Sequence, residues 1–278
     1  MRPKCDTMAE GCVPSASFYA EAPFIKRVCV FVDGENFRHA IVNLFDHFDP
    51  NDYLPKKADW DALFDWIVSR VEPDGERVRT YWYVIELLDF FPYKFPSTGS
   101  HSEELHRLLC KDQWCQNKLK GLAGNRLAQE MEAIVSELRQ RQASMRHRFE
   151  GWRRLQDGIS VRWSRMEFRR AGAITYNLFD KSLGTEKAVD VKLATDLIVL
   201  RDIYDVAIIV SGDQDYVPAV QVIKDSGKIA VNAVFRARNG KLLPGGAWRL
   251  NERTDCCLEI AYEEFLKHLN LGPRRSDV

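Results

Sequence analysis

Short continuous runs of hydrophobic residues along the chain predict strands. Residues 27–32 are apolar almost throughout and stop at Asp33-Gly34, a pattern typical of a strand buried on both faces of a parallel sheet. Runs rich in apolar, aromatic and β-branched residues predict further strands at residues 78–88, 159–168, 206–210 and 229–235. The hydrophobic pattern therefore predicts a sheet of five strands.

Helical spacing of hydrophobic residues appears between these runs. It predicts helices at residues 36–48, 59–71, 189–200, 217–224 and 259–269. Strands that alternate with helices indicate parallel βαβ units. We therefore expect an α/β fold with a doubly wound, mainly parallel five-stranded sheet.

One segment, residues 89–158, shows no strand pattern. It opens with a loop rich in aromatic residues and proline and continues as helices, the longest predicted at residues 125–156. We interpret it as a helical insertion, or lid, within a domain at residues 26–270. A disordered N-terminal tail (1–25) and a flexible C-terminal tail (271–278) are expected to flank that domain.

The long predicted helix carries a hydrophobic stripe that leaves an alternative open. Its members are Leu127, Met131, Ile134, Leu138, Met145 and Phe149. Such a stripe either packs the insertion onto the α/β core or pairs two copies of the chain in a homodimer.

The overall composition argues against a membrane protein and against a generally basic one. Lys+Arg and Asp+Glu both number 40, so the net charge is zero and any affinity for nucleic acid must come from local charge. No stretch approaches the ~18 apolar residues of a membrane span. The first residues also lack the apolar segment of a signal peptide.

The cysteine pattern indicates a reducing environment. The chain has seven cysteines, an odd number, and no CxxC pair, so we expect a cytoplasmic protein. A zinc site at His101, His106, Cys110 and Cys115 is the alternative use of this region. A helix that merely carries these residues is favoured, because zinc ligands usually occur in closer pairs.

Aspartates follow two of the predicted strands directly. Asp33 follows the first strand, and Asp213 and Asp215 follow the fourth. In a sheet of order 3-2-1-4-5 these strands are neighbours where the chain order reverses, which is where open α/β sheets bind ligands. Asp190, near the start of a predicted helix, can reach the same crevice from its flank. The alternative is that each aspartate only caps a turn or a helix.

Several carboxylates in one crevice repel each other, and a divalent cation relieves that repulsion. Hard oxygen ligands select Mg²⁺ or Mn²⁺, and such an ion lowers the pKa of a bound water and neutralises charge on a phosphoryl oxygen. The sequence has no GxSxG, GxxxxGK[ST] or GxGxxG motif. Residues 33–36 (DGEN) also lack the DxDx[TV] motif of haloacid-type phosphatases.

Three sequence blocks carry a resemblance to a known family. They are residues 30–36 (VFVDGEN), residues 187–191 (KAVDV) with Asp196, and residues 211–218 (SGDQDYVP). In this order and at these locations they closely resemble the NYN domain of LabA-like proteins. The resemblance covers residues 26–269 apart from the insertion.

The resemblance implies a PIN-like fold and Mg²⁺-dependent ribonuclease activity. The family's metal-binding and catalytic carboxylates correspond to Asp33, Asp190, Asp213 and Asp215. Asn36 corresponds to a polar residue that supports the first aspartate or the substrate, and Asp196 and Ser211 are secondary candidates in the same blocks. Ala188 stands where the family often has glycine, a change between small residues that we expect to be harmless.

An arginine-rich segment offers positive charge for RNA. It contains Arg139, Arg141, Arg146, Arg148, Arg153, Arg154, Arg162, Arg165, Arg169 and Arg170. Arginine favours bidentate phosphate contacts, and the interleaved Trp152 and Trp163 can stack unpaired bases. The alternative, given equal weight, is a solvated helix face with the tryptophans in the core.

Within this segment we assign RNA binding to four arginines: Arg146, Arg148, Arg153 and Arg154. Lys181 and Lys187 lie near Asp190 in the sequence and are candidates for contacting the phosphate that flanks the scissile bond. No other segment offers a comparable concentration of positive charge.

The sequence therefore predicts a Mg²⁺- or Mn²⁺-dependent endoribonuclease acting on single-stranded or structured RNA. The alternative is a catalytically weak RNA-binding or assembly module with the same fold. Four aspartates favour the enzyme, because a non-catalytic module has little reason to retain their mutual repulsion.

Overall fold

The structure of the protein is a computed structural model that describes residues 25–45, 53–97, 99 and 102–269. The predicted tails lie outside these residues apart from Ile25, as do residues 46–48 of the first predicted helix. No helix in the described part combines the length and the apolar character needed to cross a membrane.

The described residues form seven strands and nine α-helices. The strands are β1 (Arg27–Asp33), β2 (Glu76–Phe91), β3 (Met166–Asn177), β4 (Val206–Val210), β5 (Ile229–Arg236), β6 (Leu242–Leu243) and β7 (Cys256–Ala261). The helices are α1 (Gly34–Leu44), α2 (Trp60–Val71), α3 (Ser102–Leu109), α4 (Gln113–Leu119), α5 (Gly124–Arg162), α6 (Val189–Val199), α7 (Val217–Asp225), α8 (Trp248–Asn251) and α9 (Tyr262–His268).

The strands form one sheet in which β3, β2, β1, β4 and β5 are neighbours in that order and all parallel. The predicted α/β class and the order 3-2-1-4-5 are therefore confirmed. The sheet is larger than predicted, because β7 pairs parallel with β5 and the short β6 pairs antiparallel with the end of β5. Strand β7 escaped prediction because its residues are mostly exposed and form no continuous apolar run.

The third strand lies later in the chain than its predicted position at residues 159–168. Strand β3 is Met166–Asn177, and residues 159–162 form the last turn of α5. Most β3 residues are only half-buried because the strand lies at the edge of the sheet. An edge strand tolerates polar residues such as Arg169 and Arg170, so its hydrophobic signal is weak.

The two faces of the sheet carry separate hydrophobic cores. On one face α1, α2 and α9 pack around Phe37, Trp60 and Trp82. On the other face α6 and α7 pack against strands β1 and β4, with Phe31 and Tyr204 in contact. Covering both faces is what a parallel sheet requires, and it leaves the carboxyl edge open for a site.

A third core joins the helices between β2 and β3 to the ends of these strands. Leu105, Leu109 and Leu119 of α3 and α4 pack against α5 and against Tyr176 of β3. The predicted stripe of α5 lies in this interior apart from Phe149, which packs in the second core: five of its six residues are buried and Leu127 is half-buried. The alternative of a dimer seam through that stripe is therefore disfavoured, because the chain itself covers the stripe, and a homodimer through another surface stays a prediction.

The turn from β1 into α1 is fixed by close backbone contact. A Cβ added to Gly34 would lie 2.2 Å from the carbonyl oxygen of Tyr83 on β2. No larger residue fits without a backbone shift, so the glycine after Asp33 sets how closely α1 approaches the sheet. That approach places the Asp33 side chain at the carboxyl edge.

Candidate active site

The carboxyl ends of β1 and β4 bring together the four predicted aspartates. Asp33 ends β1, and β1 pairs with β4 in parallel register. Asp213 is the N-cap of the 3₁₀ turn Gln214–Tyr216 that follows β4, and Asp215 lies within that turn. Asp190 lies in the first turn of α6, which packs against β1. We call the space between these side chains the carboxylate crevice.

Asp33 is fully buried and is held by four hydrogen bonds. Its Oδ1 accepts from the backbone N–H of Asn36 at 3.1 Å, and its Oδ2 accepts from Asn36 Nδ2 at 2.5 Å, Ser211 Oγ at 2.8 Å and the Tyr216 hydroxyl at 3.1 Å. Burial raises the pKa of the Asp33 carboxyl to about 6 against the lowering effect of these donors, and the charge of Asp190 adds to the rise.

Tyr216 links two of the carboxylates from a buried position. Its hydroxyl lies 2.9 Å from Asp190 Oδ1 as well as 3.1 Å from Asp33 Oδ2. Burial, followed by the charges of Asp213 and Asp215, raises the pKa of the Asp190 carboxyl above its usual value although the tyrosine hydrogen bond lowers it. Tyr216 was not a predicted site residue, and it fixes the position of α6 relative to β1.

The second pair of aspartates lies on a tight turn built by its own side chains. Asp213 Oδ1 accepts from the backbone N–H of Asp215 at 2.9 Å, and Ser211 Oγ accepts from the backbone N–H of Asp213 at 3.1 Å. Ser211 therefore contacts both Asp33 and the turn. Asp213 is half-buried and Asp215 is exposed, so the crevice opens to solvent on this side.

Glu186 is a further carboxylate of the crevice that sequence reasoning missed. Burial, and then the charges of Asp33, Glu35, Asp190 and Asp213, raise the pKa of its carboxyl to about 8. Its Oε2 atom is buried without a hydrogen-bond partner among the described residues. The only available signal was its position four residues before Asp190, which is weak.

The backbone around Glu186 is held against strand β3. Lys187 forms a bridge to Ala173, and a Cβ added to Gly172 would lie 1.7 Å from the Lys187 carbonyl oxygen. Ala188 has a left-handed backbone, φ 74°, at the N-cap of α6. The expectation that alanine is harmless here considered size alone, whereas this conformation costs a residue with a Cβ roughly 1 kcal/mol relative to glycine.

The crevice fits a divalent cation by its donor set, although its side chains are not arranged as a finished site. Among the described residues no three His, Cys, Asp or Glu side chains form a ready-made metal-binding group. Asp33 accepts hydrogen bonds from Tyr216, Ser211 and Asn36, and Asp190 accepts one from Tyr216. The unpartnered Glu186 oxygen and the raised carboxyl pKa values are what a cation would relieve.

Of the four residues of the alternative zinc site, the structure shows only His106 and Cys110 in contact with each other. Cys110 Sγ lies 3.6 Å from His106 Nε2, whereas His101 lies outside the described residues. Cys115 is buried in the helical core, where burial raises the pKa of its thiol to about 12. These residues pack helices together, which agrees with the favoured interpretation.

Two secondary candidates occupy different positions. Ser211 positions Asp33, as described above, whereas Asp196 faces away from the crevice. Asp196 pairs with Arg169 Nη1 at 2.7 Å and with Lys192 Nζ at 2.8 Å, and accepts from the Tyr83 hydroxyl at 3.1 Å. It is six residues after Asp190, so it lies on another face of α6. Its contacts in the structure are internal ion pairs, and its secondary role at the site stays a prediction.

The arginine-rich segment divides into paired and exposed members. Four members form ion pairs. Arg141 pairs with Glu137, and Arg165 pairs with Asp61 and Asp65. Arg169 pairs with Glu167 and Asp196, and Arg170 pairs with Asp157. These arginines hold the helices and β3 together.

The arginines assigned to RNA lie along α5. Arg146, Arg153 and Arg154 are exposed, and Arg146 lies 5.6 Å from the centroid of the Phe90 ring. Arg148 is half-buried beside Trp152, and with Arg141 and Lys181 it lines a cavity of about 500 Å³. Lys187 is exposed.

The tryptophans of the arginine-rich segment are structural. Trp152 stacks on Tyr53 at 5.2 Å, and Trp163 packs against the core on the α2 side of the sheet. The interpretation that they stack RNA bases is therefore wrong, and the core interpretation holds.

Comparison with known proteins identifies the class in two steps. The doubly wound sheet of order 3-2-1-4-5 is consistent with a PIN-like fold. The NYN domain family model matches residues 124–242, so this part of the chain is similar to NYN domains. The match runs from α5 to β6 and includes Asp190, Asp213 and Asp215. The resemblance to NYN domains is confirmed, and the LabA-like subtype stays a prediction.

Other comparisons add little. No curated protein sequence matches the chain. A solved structure, that of a protein of unknown function from Vibrio parahaemolyticus, covers 86% of this chain and 96% of its own at 14% identity and a TM-score of 0.38. A similarity this low supports no inference about fold or function.

Proposed function

We propose that the protein is a Mg²⁺- or Mn²⁺-dependent ribonuclease that cleaves RNA at the carboxylate crevice. NYN domains are generally nucleases, which supports a hydrolase at a coarse level. The observation that carries the finer proposal is the set of carboxylates around Asp33, with raised pKa values at Asp33, Glu186 and Asp190. Among the described residues, no Lys or Arg forms an ion pair with any of these three.

The side chains of the crevice divide into two roles under this proposal. Glu186, Asp190, Asp213 and Asp215 would hold the cation, which when bound activates a water and neutralises charge on the phosphoryl group. Asp33 sets their positions, because it holds the Tyr216 and Ser211 hydroxyls that contact Asp190 and the 213–215 turn. Its Oδ1 accepts only the Asn36 N–H and keeps capacity for one further ligand.

RNA is the proposed substrate, held by the exposed arginines of α5. Arg146, Arg153 and Arg154 present guanidinium groups to solvent, and Arg148 lines the adjoining cavity. If they contact phosphates, replacing all four by glutamine should lower the slope of log K against log salt by roughly 0.7 per lost contact. An unchanged slope in a filter-binding titration would show a merely solvated face. The cysteines among the described residues are free thiols, which agrees with the proposed cytoplasmic location.

A catalytically weak RNA-binding or assembly module is the second candidate. The observation that favours it is the absence, among the described residues, of a ready-made group of three metal-binding side chains. The two candidates differ in one measurable respect: the module binds RNA without turnover in any divalent metal.

The test is a cleavage assay of the full chain on RNA and DNA of the same sequence with Mg²⁺, Mn²⁺ or EDTA. We expect cleavage of RNA in either metal, none in EDTA, and a loss of at least about 10³-fold in Asp190→Asn and Asp213→Asn. Asp74→Asn, an exposed aspartate near the opposite edge of the sheet, is the matched control and should retain activity.

A circular RNA substrate tests the position of cleavage, since only an endonuclease can open it. RNA binding without cleavage in either metal would favour the module. Near-wild-type turnover by Asp213→Asn at saturating metal would contradict the assignment of the crevice.

A further inference from the structure

Trp248 is exposed in a way that sets it apart from the other tryptophans. It is 54% exposed at the start of α8, whereas the six others are buried or half-buried in the described chain. A large aromatic ring on the surface keeps its apolar face available for contact with a ligand.

The exposure of Trp248 is imposed by a firmly anchored helix. Ala247 and Leu250, on either side of it, are buried. Asn251 Oδ1 accepts from Nδ2 of the buried Asn232 on β5 at 2.6 Å, and its carbonyl accepts from Thr254 Oγ1 at 3.1 Å. These contacts fix α8 on the sheet and direct Trp248 outward, so the ring is a preformed surface.

This surface adjoins the carboxylate crevice. Trp248 and Arg249 line a cavity of about 450 Å³ together with Asn36 and Asp213, within the size range of small-molecule sites. They also line a neighbouring cavity of about 570 Å³ with Asp215 and Arg253. The ring thus lies between the predicted cation ligands and the open surface.

Arg249 ties the ring to the acidic turn. Its guanidinium lies 5.1 Å from the centroid of the Trp248 ring and donates to the side chain of Gln214, which stands between Asp213 and Asp215. The guanidinium thus adds positive charge next to the carboxylates. An aromatic face with an adjacent arginine is the arrangement that binds a single-stranded nucleotide through its base and its phosphate.

We propose that Trp248 stacks an unpaired base of the RNA beside the scissile phosphate, with Arg249 and Arg253 contacting the flanking backbone. The proposal rests on the proposed ribonuclease function and narrows its substrate to single-stranded RNA. A protein partner is disfavoured, because the apolar neighbours of the ring in the two cavities are limited to Val217 and Pro218. The remaining lining residues are glycine, polar or charged.

The test measures binding separately from cleavage. A 2′-O-methyl single-stranded octanucleotide resists cleavage and is titrated into the full chain while tryptophan fluorescence and anisotropy of a labelled strand are recorded. We expect fluorescence quenching that is lost in Trp248→Ala, a roughly tenfold weaker Kd in that variant, and recovery of most affinity in Trp248→Phe. Trp66→Phe, which removes a half-buried ring that stacks on His268, is the control and should bind like the wild type.

Substrate variants separate stacking from general affinity. An octanucleotide without bases should bind wild type and Trp248→Ala equally, and a duplex of the same sequence should not quench Trp248. Equal Kd values for wild type and Trp248→Ala on the complete strand would overturn the proposal, as would equal quenching by the abasic strand. If stacking is found but no metal supports cleavage, the stacking role of Trp248 stands and the ribonuclease proposal fails. If cleavage is found without stacking, the ribonuclease proposal stands and the stacking role fails.

Discussion

Acidic residues have cationic partners at the amino edge of the sheet and, in the part of the chain that the structure describes, lack them at the carboxylate crevice. At the amino edge, Asp205 pairs with Arg27 at 3.0 Å, and the buried Arg77 donates to both Asp61 and Asp65. At the carboxyl edge, Asp33 and Asp190 lie close together with only hydroxyl and amide donors around them. The same residue type is therefore neutralised at one edge and left charged at the other.

The difference shows in the proton affinities of the carboxyl groups. Hydrogen bonding to Arg27 lowers the pKa of Asp205 to about 2, whereas burial raises the pKa of Glu186 to about 8. Paired acids stabilise the fold, and unpaired buried acids cost free energy unless a cation joins them. The unpaired edge is thus the one to which we assign the proposed function, and the contrast can be tested by changing one residue at a time.

The largest effect is expected at Gly34, which brings the carboxyl edge together. A methyl group in Gly34→Ala would lie 2.2 Å from the Tyr83 carbonyl oxygen, so α1 must move away from the sheet. We expect a loss of about 3 kcal/mol in the free energy of unfolding, together with loss of cleavage. Gly151→Ala in α5 is the control, because nothing lies within 4 Å of its added Cβ. Urea unfolding checks both, and equal stability of Gly34→Ala and wild type would contradict the close contact.

Next in size is the removal of a buried charge from the amino edge. Arg77 is fully buried at its side chain and contacts Asp61, Asp65 and Thr80. Arg77→Met removes these bonds and leaves the two carboxylates paired only with the half-buried Arg165, so we expect a loss of about 2 kcal/mol in the free energy of unfolding. Cleavage per folded molecule should be unchanged, since the crevice is at the other edge. A stability equal to wild type would mean that the pairing at this edge is not stabilising.

Removing the charge of Glu186 at the carboxyl edge should not destabilise the fold as Arg77→Met does, but should change how stability depends on pH. Because the Glu186 pKa is raised from 4.5 to about 8, its favourable contribution is lost as pH rises through about 8. In EDTA the melting temperature should therefore fall between about pH 4.5 and pH 8 and level off above, which is the window between the unfolded and folded pKa values of Glu186. Glu186→Gln should flatten that fall, yet require about tenfold more Mg²⁺ for half-maximal cleavage. An unflattened fall and an unchanged metal requirement would together remove Glu186 from the crevice.

The smallest expected effect is the acid response of the amino edge. The pKa of Asp205 is lowered in the folded protein, so its contribution is present above pH 3.8 and is lost as pH falls toward about 2. Exposure and salt screening keep this contribution below about 1 kcal/mol. Asp205→Asn should lower stability at pH 7 and weaken its dependence on pH between 4 and 2, roughly the window of this shift, as followed by circular dichroism. An identical acid transition in wild type and variant would contradict the pairing.

The sequence predicted the sheet and the positions of Asp33, Asp213 and Asp215 because strand ends follow from local patterns. An apolar run that stops at an aspartate fixes both the strand and the edge that the aspartate occupies. Glu186 and Tyr216 escaped because their place in the crevice depends on how α6 and the segment before it pack on β3. No local sequence pattern predicts how these segments pack.

The ion-pair partners of the arginines could not be predicted from the sequence either. Arg169 and Asp196 lie 27 residues apart, and Arg165 and Asp61 lie 104 apart. A run of arginines therefore looked like one basic surface, although several of its members serve internal ion pairs. Trp248 was overlooked for the same reason, because exposure depends on the anchoring of α8 and not on its neighbours in the chain.

The long helical connection between β2 and β3 also has a consequence for how the protein is made. These strands pair over eleven positions, but about 75 residues separate Phe91 from Met166. On the ribosome that segment takes roughly 4 to 15 s to synthesise, during which the aromatic β2 lacks its outer neighbour. An unpaired strand edge is a template for aggregation. Slow elongation through α5 should therefore lower the yield of soluble protein more than a pause of equal length after β3.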